Sequence, residues 1–194
     1  MDRIKDPIDL FMEWYREELR STTVAIPSAV CLGTIGLDGY PNARTVSLKE
    51  VVNGRFIIAC PLDSRKAQEI QRDNKVALTF WWPRTERQAR IQGVATGISS
   101  ADADRYFAER EEHIQVLTWA SEQGAPLENM QALHDRYEKL RTELSTPVPR
   151  PEKWSGFAIE PVRIELMQFR HDRFHERRLF ERKYGKWTFG LLQT

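Results

Sequence analysis

The chain has 194 residues, 41% hydrophobic and 29% charged, the profile of a globular protein long enough to bury a sizeable core in one domain over 1–194. Its 29 Lys and Arg against 28 Asp and Glu leave a formal net charge of +1, which provides no global field for a polyanion or a membrane surface, so any basic site must be local. Two cysteines, Cys31 and Cys60, lie in apolar runs without a Cys-x-x-Cys pair, which points to a reduced, intracellular chain. The opening Met1-Asp2-Arg3-Ile4-Lys5-Asp6-Pro7 lacks the apolar stretch of a signal peptide, and no run approaches the roughly 20 apolar residues of a membrane helix. A cytoplasmic protein is expected, with no membrane partner.

Asp6 is a helix cap with Pro7 at the first helical position, and Ile8, Phe11, Met12, Tyr15 and Leu19 recur at helical spacing, which predicts an amphipathic helix over 6–20. Ala29–Gly36, Asn42–Val51 and Arg55–Cys60 read as three strands joined by tight turns at Asp38-Gly39 and Asn53-Gly54, an antiparallel meander. Ser64 caps a short helix to Arg72, and Val76–Trp82 and Arg87–Ile98 restore strand character, so that 29–98 holds the first strands of the sheet. The stretch 100–144 predicts two or three helices broken near Gln123-Gly124-Ala125-Pro126, and Pro147, Pro149 and Pro151 make an extended connector. The sheet resumes over 156–192, with a strand through Phe157 to Leu166, another over Asp172–Arg182, a Tyr184-Gly185 turn and Trp187–Leu192. Strands, helices and strands again without a βαβ rhythm predict an α+β protein whose sheet closes into a barrel.

Within Arg173-Phe174-His175-Glu176-Arg177, strand alternation would put Arg173, His175 and Arg177 on one face with no acid in the row. Such a row is either an anion site or a solvated edge. Ser64-Arg65-Lys66 at a helix start is either a phosphate cradle or a capped surface helix. Arg44 and Lys49 fall on opposite strand faces unless a bulge brings them together. Gln88, Arg90 and Gln92 form one polar face, toward solvent or a polar ligand. Tyr106 and Arg110, four apart on a predicted helix, share a face. His171 and His175 are too far apart along a strand, about 13 Å, to share an ion, and no metal pattern, Walker loop or dinucleotide fingerprint is present. A redox enzyme of this make-up takes its chemistry from a bound cofactor. Near-neutral charge without a basic stripe interleaved with aromatics speaks against nucleic acid.

Taken in order, Arg44-Thr-Val-Ser-Leu-Lys49, Ser64-Arg-Lys66, Glu86-Arg-Gln88, Tyr106-Phe-Ala-Glu-Arg110, Pro149-Arg-Pro-Glu-Lys-Trp-Ser-Gly-Phe157 and Arg173-Phe-His-Glu-Arg177 resemble the pyridoxamine 5′-phosphate oxidase family along nearly the whole chain. The resemblance implies an antiparallel split β-barrel with flanking helices, a homodimer, and two flavin mononucleotide (FMN) molecules at the subunit interface. It implies FMN contacts from the run Arg44, Thr45, Val46, Ser47, Leu48 and Lys49, from Ala59, Cys60, Arg65, Lys66, Gln88, Gln123 and Met167, and from Arg177. Lys49, Tyr106 and Arg110 fall where the family holds the substrate phosphate, and Arg173 and His175 beside the reacting carbon, as the catalytic pair. A phosphorylated substrate and O2 are the implied small-molecule partners.

The sequence departs from the family at Met167 (a flavin-contacting tryptophan), Ile114 (a serine toward the substrate phosphate), Ala59-Cys60 (tyrosine and threonine) and Gly124 (a serine). Three readings follow. The first is oxidation of pyridoxamine or pyridoxine 5′-phosphate. The second is a paralogous FMN oxidase for another reduced aromatic compound of the phenazine type, for which Ile114 and Met167 speak. The third is a non-catalytic flavin- or pyridoxal-phosphate-binding protein.

Overall fold

The computed structural model describes residues 6–21 and 23–194, so the run Met1–Lys5 used above lies outside the described residues. Helix α1 spans Pro7–Ser21. Asp6 caps it, accepting from the Ile8 N–H at 2.8 Å through its side chain and from the Leu10 N–H at 3.1 Å through its carbonyl. Its apolar face drives Phe11 edge-on against Phe56 and Phe80, with ring centroids 4.9 and 5.1 Å away.

Six strands make the barrel: β1 (Ala29–Ile35), β2 (Pro41–Val52), β3 (Arg55–Pro61), β4 (Lys75–Trp82), β5 (Arg87–Gly97) and the long β6 (Trp154–Gln168). All pair antiparallel in the order β3-β2-β1-β4-β5-β6, and a further β3–β6 ladder closes the ring. Closure requires Gly156, because a Cβ there would stand 2.2 Å from the Ile58 carbonyl oxygen. The β2–β3 turn is the two-residue Asn53-Gly54, both at positive φ, as a tight hairpin of right-twisted strands demands. The β1–β2 connection is longer, five residues from Gly36 to Tyr40.

Leu32, Phe56, Ile58, Leu78, Phe80, Ile91, Ile159 and Ile164 fill the interior. Helices α2 (Arg65–Arg72), α3 (Ser100–Ala108), α4 (Glu112–Ala120) and α5 (Met130–Glu143) flank the barrel. A second cluster, Ile57, Tyr106, Phe107, Val116 and Trp154, lies where outward residues of β3 and β6 meet the α3–α5 region. That is why β3 is apolar on both faces. Beyond the barrel, the C-terminal half of β6 pairs with β7 (Glu176–Lys183), which pairs with β8 (Lys186–Leu192). Cys31 and Cys60 are both free. Among the described residues, no helix is long and apolar enough to cross a membrane.

Three expectations need correction. Residues 169–175 form a turn rather than a strand: Asp172 accepts from the Phe174 N–H at 3.0 Å, His175 N–H returns to the Arg173 carbonyl at 2.8 Å, and Arg173 has φ 69°. Arg173 and His175 therefore share no strand face with Arg177, and the strand-based spacing of His171 and His175 does not apply. Among the described residues, no three His, Cys, Asp or Glu side chains converge as a metal site. Arg110 lies beyond the end of α3, so Tyr106 and Arg110 are not neighbours on one helical face. Ser64 precedes α2, but its hydroxyl donates to the Pro61 carbonyl at 2.7 Å, and no side chain caps that helix.

Candidate functional site

Between β2, β3, α2 and α4 lies a cavity of about 690 Å3, within the usual range for small-molecule sites, about 300–1,000 Å3. Register explains why both strand cations reach it. The β2–β3 ladder shifts between Leu48 and Glu50, so Lys49 is an extra, bulged residue. The bulge breaks strand alternation, and Arg44 and Lys49 line the same cavity.

The cations fall in two groups. Arg65 and Lys66 stand at the start of α2, where helix N–H groups lack intrahelical partners, and Arg44 faces them. Arg44 donates to Glu69 at 2.6 Å, Arg65 donates to Glu69 at 3.0 Å and to Asp38 at 2.8 Å, and Lys66 donates to Gln123 Oε1. Burial lowers the Lys66 pKa and also raises that of the neighbouring Cys60 thiol. Lys49 and Arg110 form the second group. Burial, then the Arg110 charge, pulls Lys49 below its ordinary value, and burial does the same to Arg110. The Arg110 guanidinium lies 5.2 Å over the Trp154 ring, and among the described residues its buried Nε has no hydrogen-bond partner. Two desolvated cations in one wall are the electrostatic description of an anion receptor.

Ile114, Leu117 and Trp154 supply apolar wall beside this second group. Tyr106 is not in the lining. Its hydroxyl donates to Glu50, which also accepts from Arg105 at 2.6 Å. Burial and the Glu50 hydrogen bond push the phenol up to about 12. Leu48 likewise points into the barrel core.

Gln88, Met167 and Arg177 stand elsewhere. They are direct cross-strand neighbours, Gln88 opposite Met167 and Met167 opposite Arg177, and make one row across β5, β6 and β7. The face is not without an acid: Glu165, in the next row opposite Arg90 and 3% exposed, accepts from Arg177 at 2.8 Å and from Arg90 at 3.1 Å. The adjoining turn carries Arg173, exposed, and His175, whose Nδ1 accepts from the Arg170 N–H at 3.0 Å.

Residues 16–143 match the sequence profile of pyridoxamine 5′-phosphate oxidase, and residues 154–194 that of the pyridoxine 5′-phosphate oxidase C-terminal dimerisation region. The chain belongs to the pyridoxamine 5′-phosphate oxidase family. It is an oxidoreductase of that family. It is 40% identical over 185 residues to the pyridoxine/pyridoxamine 5′-phosphate oxidase of Caulobacter vibrioides, covering 95% of this chain and 83% of that one. The enzyme of the same name from Rubrobacter xylanophilus is 39% identical, over 97% and 87%. Among solved structures, PhzG from Burkholderia lata 383 in complex with tetrahydrophenazine-1-carboxylic acid superposes with a TM-score of 0.91 at 25% identity, over 100% of this chain and 95% of that one.

Within this family member, one chain brings together Arg44, Thr45, Val46, Ser47, Lys49, Ala59, Cys60, Arg65, Lys66, Arg110 and Gln123, and holds apart Gln88, Met167, Arg173, His175 and Arg177. Sequence reading missed Glu69, Glu50, Glu165 and Trp154. Only Glu69 leaves a local signal, its i, i+4 spacing from Arg65 on α2.

Proposed function

We propose that the chain is an FMN-dependent oxidase that converts pyridoxamine or pyridoxine 5′-phosphate to pyridoxal 5′-phosphate, with O2 as acceptor and H2O2 released, acting as a cytoplasmic homodimer. The observation that carries this reading is the pair of cation groups in one cavity. An α2-end cradle suits the FMN phosphate, and Lys49 with Arg110 suits a second phosphate, that of the substrate. The unpartnered Arg110 Nε and the side-chain-free start of α2 are donors that such anions would satisfy. FMN, when bound, supplies the hydride acceptor and the reaction with O2.

The chain's own groups then bind and orient. Lys66 and Arg44 neutralise the cofactor phosphate, and Lys49 and Arg110 fix the substrate's phosphate end. The apolar wall of Ile114, Leu117 and Trp154 excludes water from the space between. Arg173 and His175 lie outside the cavity of their own chain, so in this reading they reach the substrate of a second copy, and Gln88, Met167 and Arg177 reach that copy's FMN. The surface for that copy is the outer face of β1, β2 and β4. There the rows Thr45–Cys31–Thr79 and Ala43–Gly33–Ala77 carry only small side chains, and Thr79 continues opposite Arg90 toward the Gln88 row. The match of 154–194 to a dimerisation region supports the same assembly.

A second reading, a paralogous oxidase for another reduced aromatic compound, is favoured by Ile114 in the wall where the family has a serine, and by the likeness to PhzG with its bound aromatic acid. The deciding experiment is an absorbance spectrum of the purified protein, then anaerobic addition of pyridoxamine 5′-phosphate. Bleaching of a flavin band near roughly 450 nm, with pyridoxal phosphate formed, is expected of a cofactor-borne hydride transfer. Bleaching only with a reduced aromatic acid favours the second reading. A yellow protein that neither bleaches is a carrier, and a colourless one that refuses FMN overturns the proposal.

A further inference from the structure

Glu69 is the charged residue of the cradle that receives no role from the family resemblance. It is fully buried on α2, and four donors surround its carboxylate. Oε2 accepts from Thr34 Oγ1 at 2.7 Å and Arg44 Nη2 at 2.6 Å, and Oε1 accepts from Asn42 Nδ2 at 2.9 Å and Arg65 Nε at 3.0 Å. A carboxylate offers about four lone-pair sites, so its capacity is used in full. Burial opposes the charge, but these hydrogen bonds outweigh it and hold the carboxyl at about 2, ionised throughout the neutral range.

A buried ion cluster is a poor device for stability alone, since apolar packing of the same volume commonly serves as well. What the cluster does fix is the position of two guanidinium groups. Arg44 makes three hydrogen bonds, to Glu69, Thr34 and the Leu32 carbonyl, which lock its plane while its edge lines the cavity. Arg65 is held by the same carboxylate one helical turn away. We propose that Glu69 is a positioning residue for phosphate recognition: acting through Arg44 and Arg65, it pre-sets both guanidinium groups beside the start of α2. This inference rests on the reading that the α2 cradle takes the FMN phosphate.

Glu69 is itself an anion, and the opposite sign is physically open. If the arginines stood in place without it, removing a negative charge beside the site would strengthen phosphate binding. The two accounts predict opposite changes. The test compares dissociation constants of FMN and riboflavin, which differ by the phosphate, for the full chain freed of flavin, read by quenching of flavin fluorescence. The wild type prefers FMN. In Glu69→Gln, the preference is expected to shrink about tenfold, the worth of one charge-assisted hydrogen bond, with riboflavin affinity unchanged. Thr34→Val keeps every charge, removes the hydroxyl that bridges Glu69 and Arg44, and is expected to shrink the preference by less, about threefold, because Arg44 keeps its bonds to Glu69 and the Leu32 carbonyl. It decides the matter if Glu69→Gln does not fold. A preference that stays or grows, or equal weakening of both flavins, overturns the inference. A wild type without preference overturns the reading beneath it, and the inference with it.

Discussion

The α2 cradle and the β5–β7 row are built from the same parts. In each, a carboxylate almost wholly buried takes two arginines: Glu69 takes Arg44 and Arg65, and Glu165 takes Arg90 and Arg177. Their surroundings differ. Around Glu69, α2, the β2 bulge, α4 and the Ser121–Gly124 loop raise walls and make a cavity. Around Glu165 the polar groups lie on an outer sheet face, and the neighbouring turn projects Arg173 into solvent. One region walls a cavity within a single chain, and the other lies open on its sheet face, which the proposed dimer turns into the second half of a site. Exposed cations on a sheet face gain most when a second surface desolvates them against an anion.

That contrast breaks most readily by mixing variants. Arg44→Ala, in the cradle, and Arg173→Ala, in the turn, are each expected to lose turnover, by roughly 10²-fold or more for Arg173→Ala, which stays yellow. In a two-fold dimer with composite sites, co-refolding the two variants restores one intact site in each mixed dimer, so about a quarter of wild-type activity returns. No recovery on mixing would mean that each chain works alone, and the two regions would not be complementary halves.

A smaller effect sharpens the cradle side. Lys66→Ala removes a cation that, among the described residues, pairs with no acid and donates to Gln123 and Ser64. FMN binding should weaken about tenfold to a hundredfold, the range of a charge-assisted bond to phosphate. Arg173→Ala should leave FMN binding as it is. Equal weakening by both, measured by flavin fluorescence, would erase the division between cofactor-holding and substrate-facing groups.

Acid stability isolates Glu69 from any ligand. Its carboxyl is held at about 2 against an ordinary 4.5. The lowered folded value means the contribution is fully present above about pH 4.5 and lost as pH falls through about 2. It is worth about 3 kcal/mol at neutral pH. Urea unfolding of wild type and Glu69→Gln should therefore show a stability gap that narrows between about pH 5 and pH 2. A gap of constant size would mean that ionisation of Glu69 adds nothing to folding.

What could be read from the sequence follows from how local each signal is. Asp6-Pro7 and Asn53-Gly54 are complete within a few residues, and both ends stand where expected. Barrel closure through β3–β6 joins residues about a hundred apart, and only Gly156 hints at it by its lack of a side chain. The Lys49 bulge was open in the sequence because parity alone separates it from Arg44, and register is decided by the partner strand. The turn at Arg173 and His175 is hidden because Arg-Phe-His-Glu-Arg alternates like a strand, while the Asp172 side chain offers the backbone a competing turn. Glu69 shows in the sequence only as an i, i+4 partner of Arg65, because a Glu on an amphipathic helix reads as solvated until Thr34 and Asn42, on β1 and β2, are seen to face it.

The smallest predicted effect concerns Tyr106, which the family resemblance puts on the substrate phosphate and the structure turns toward Glu50. Its ring is buried in the α3 cluster, and Arg105 stacks over it at 4.1 Å while pairing with the same carboxylate. Moving the hydroxyl to the cavity would strip Glu50 of one of two donors. Tyr106→Phe should therefore cost about 1 kcal/mol of stability, one net hydrogen bond, and change KM for the phosphorylated substrate by no more than about twofold. Lys49→Ala and Arg110→Ala, whose cations line the cavity, should each raise KM about tenfold or more. If Tyr106→Phe raised KM as far as Lys49→Ala does, the phenol would have to leave Glu50 when substrate arrives. The Glu50–Arg105 pair would then be the resting partner of a mobile ligand group rather than its fixed anchor.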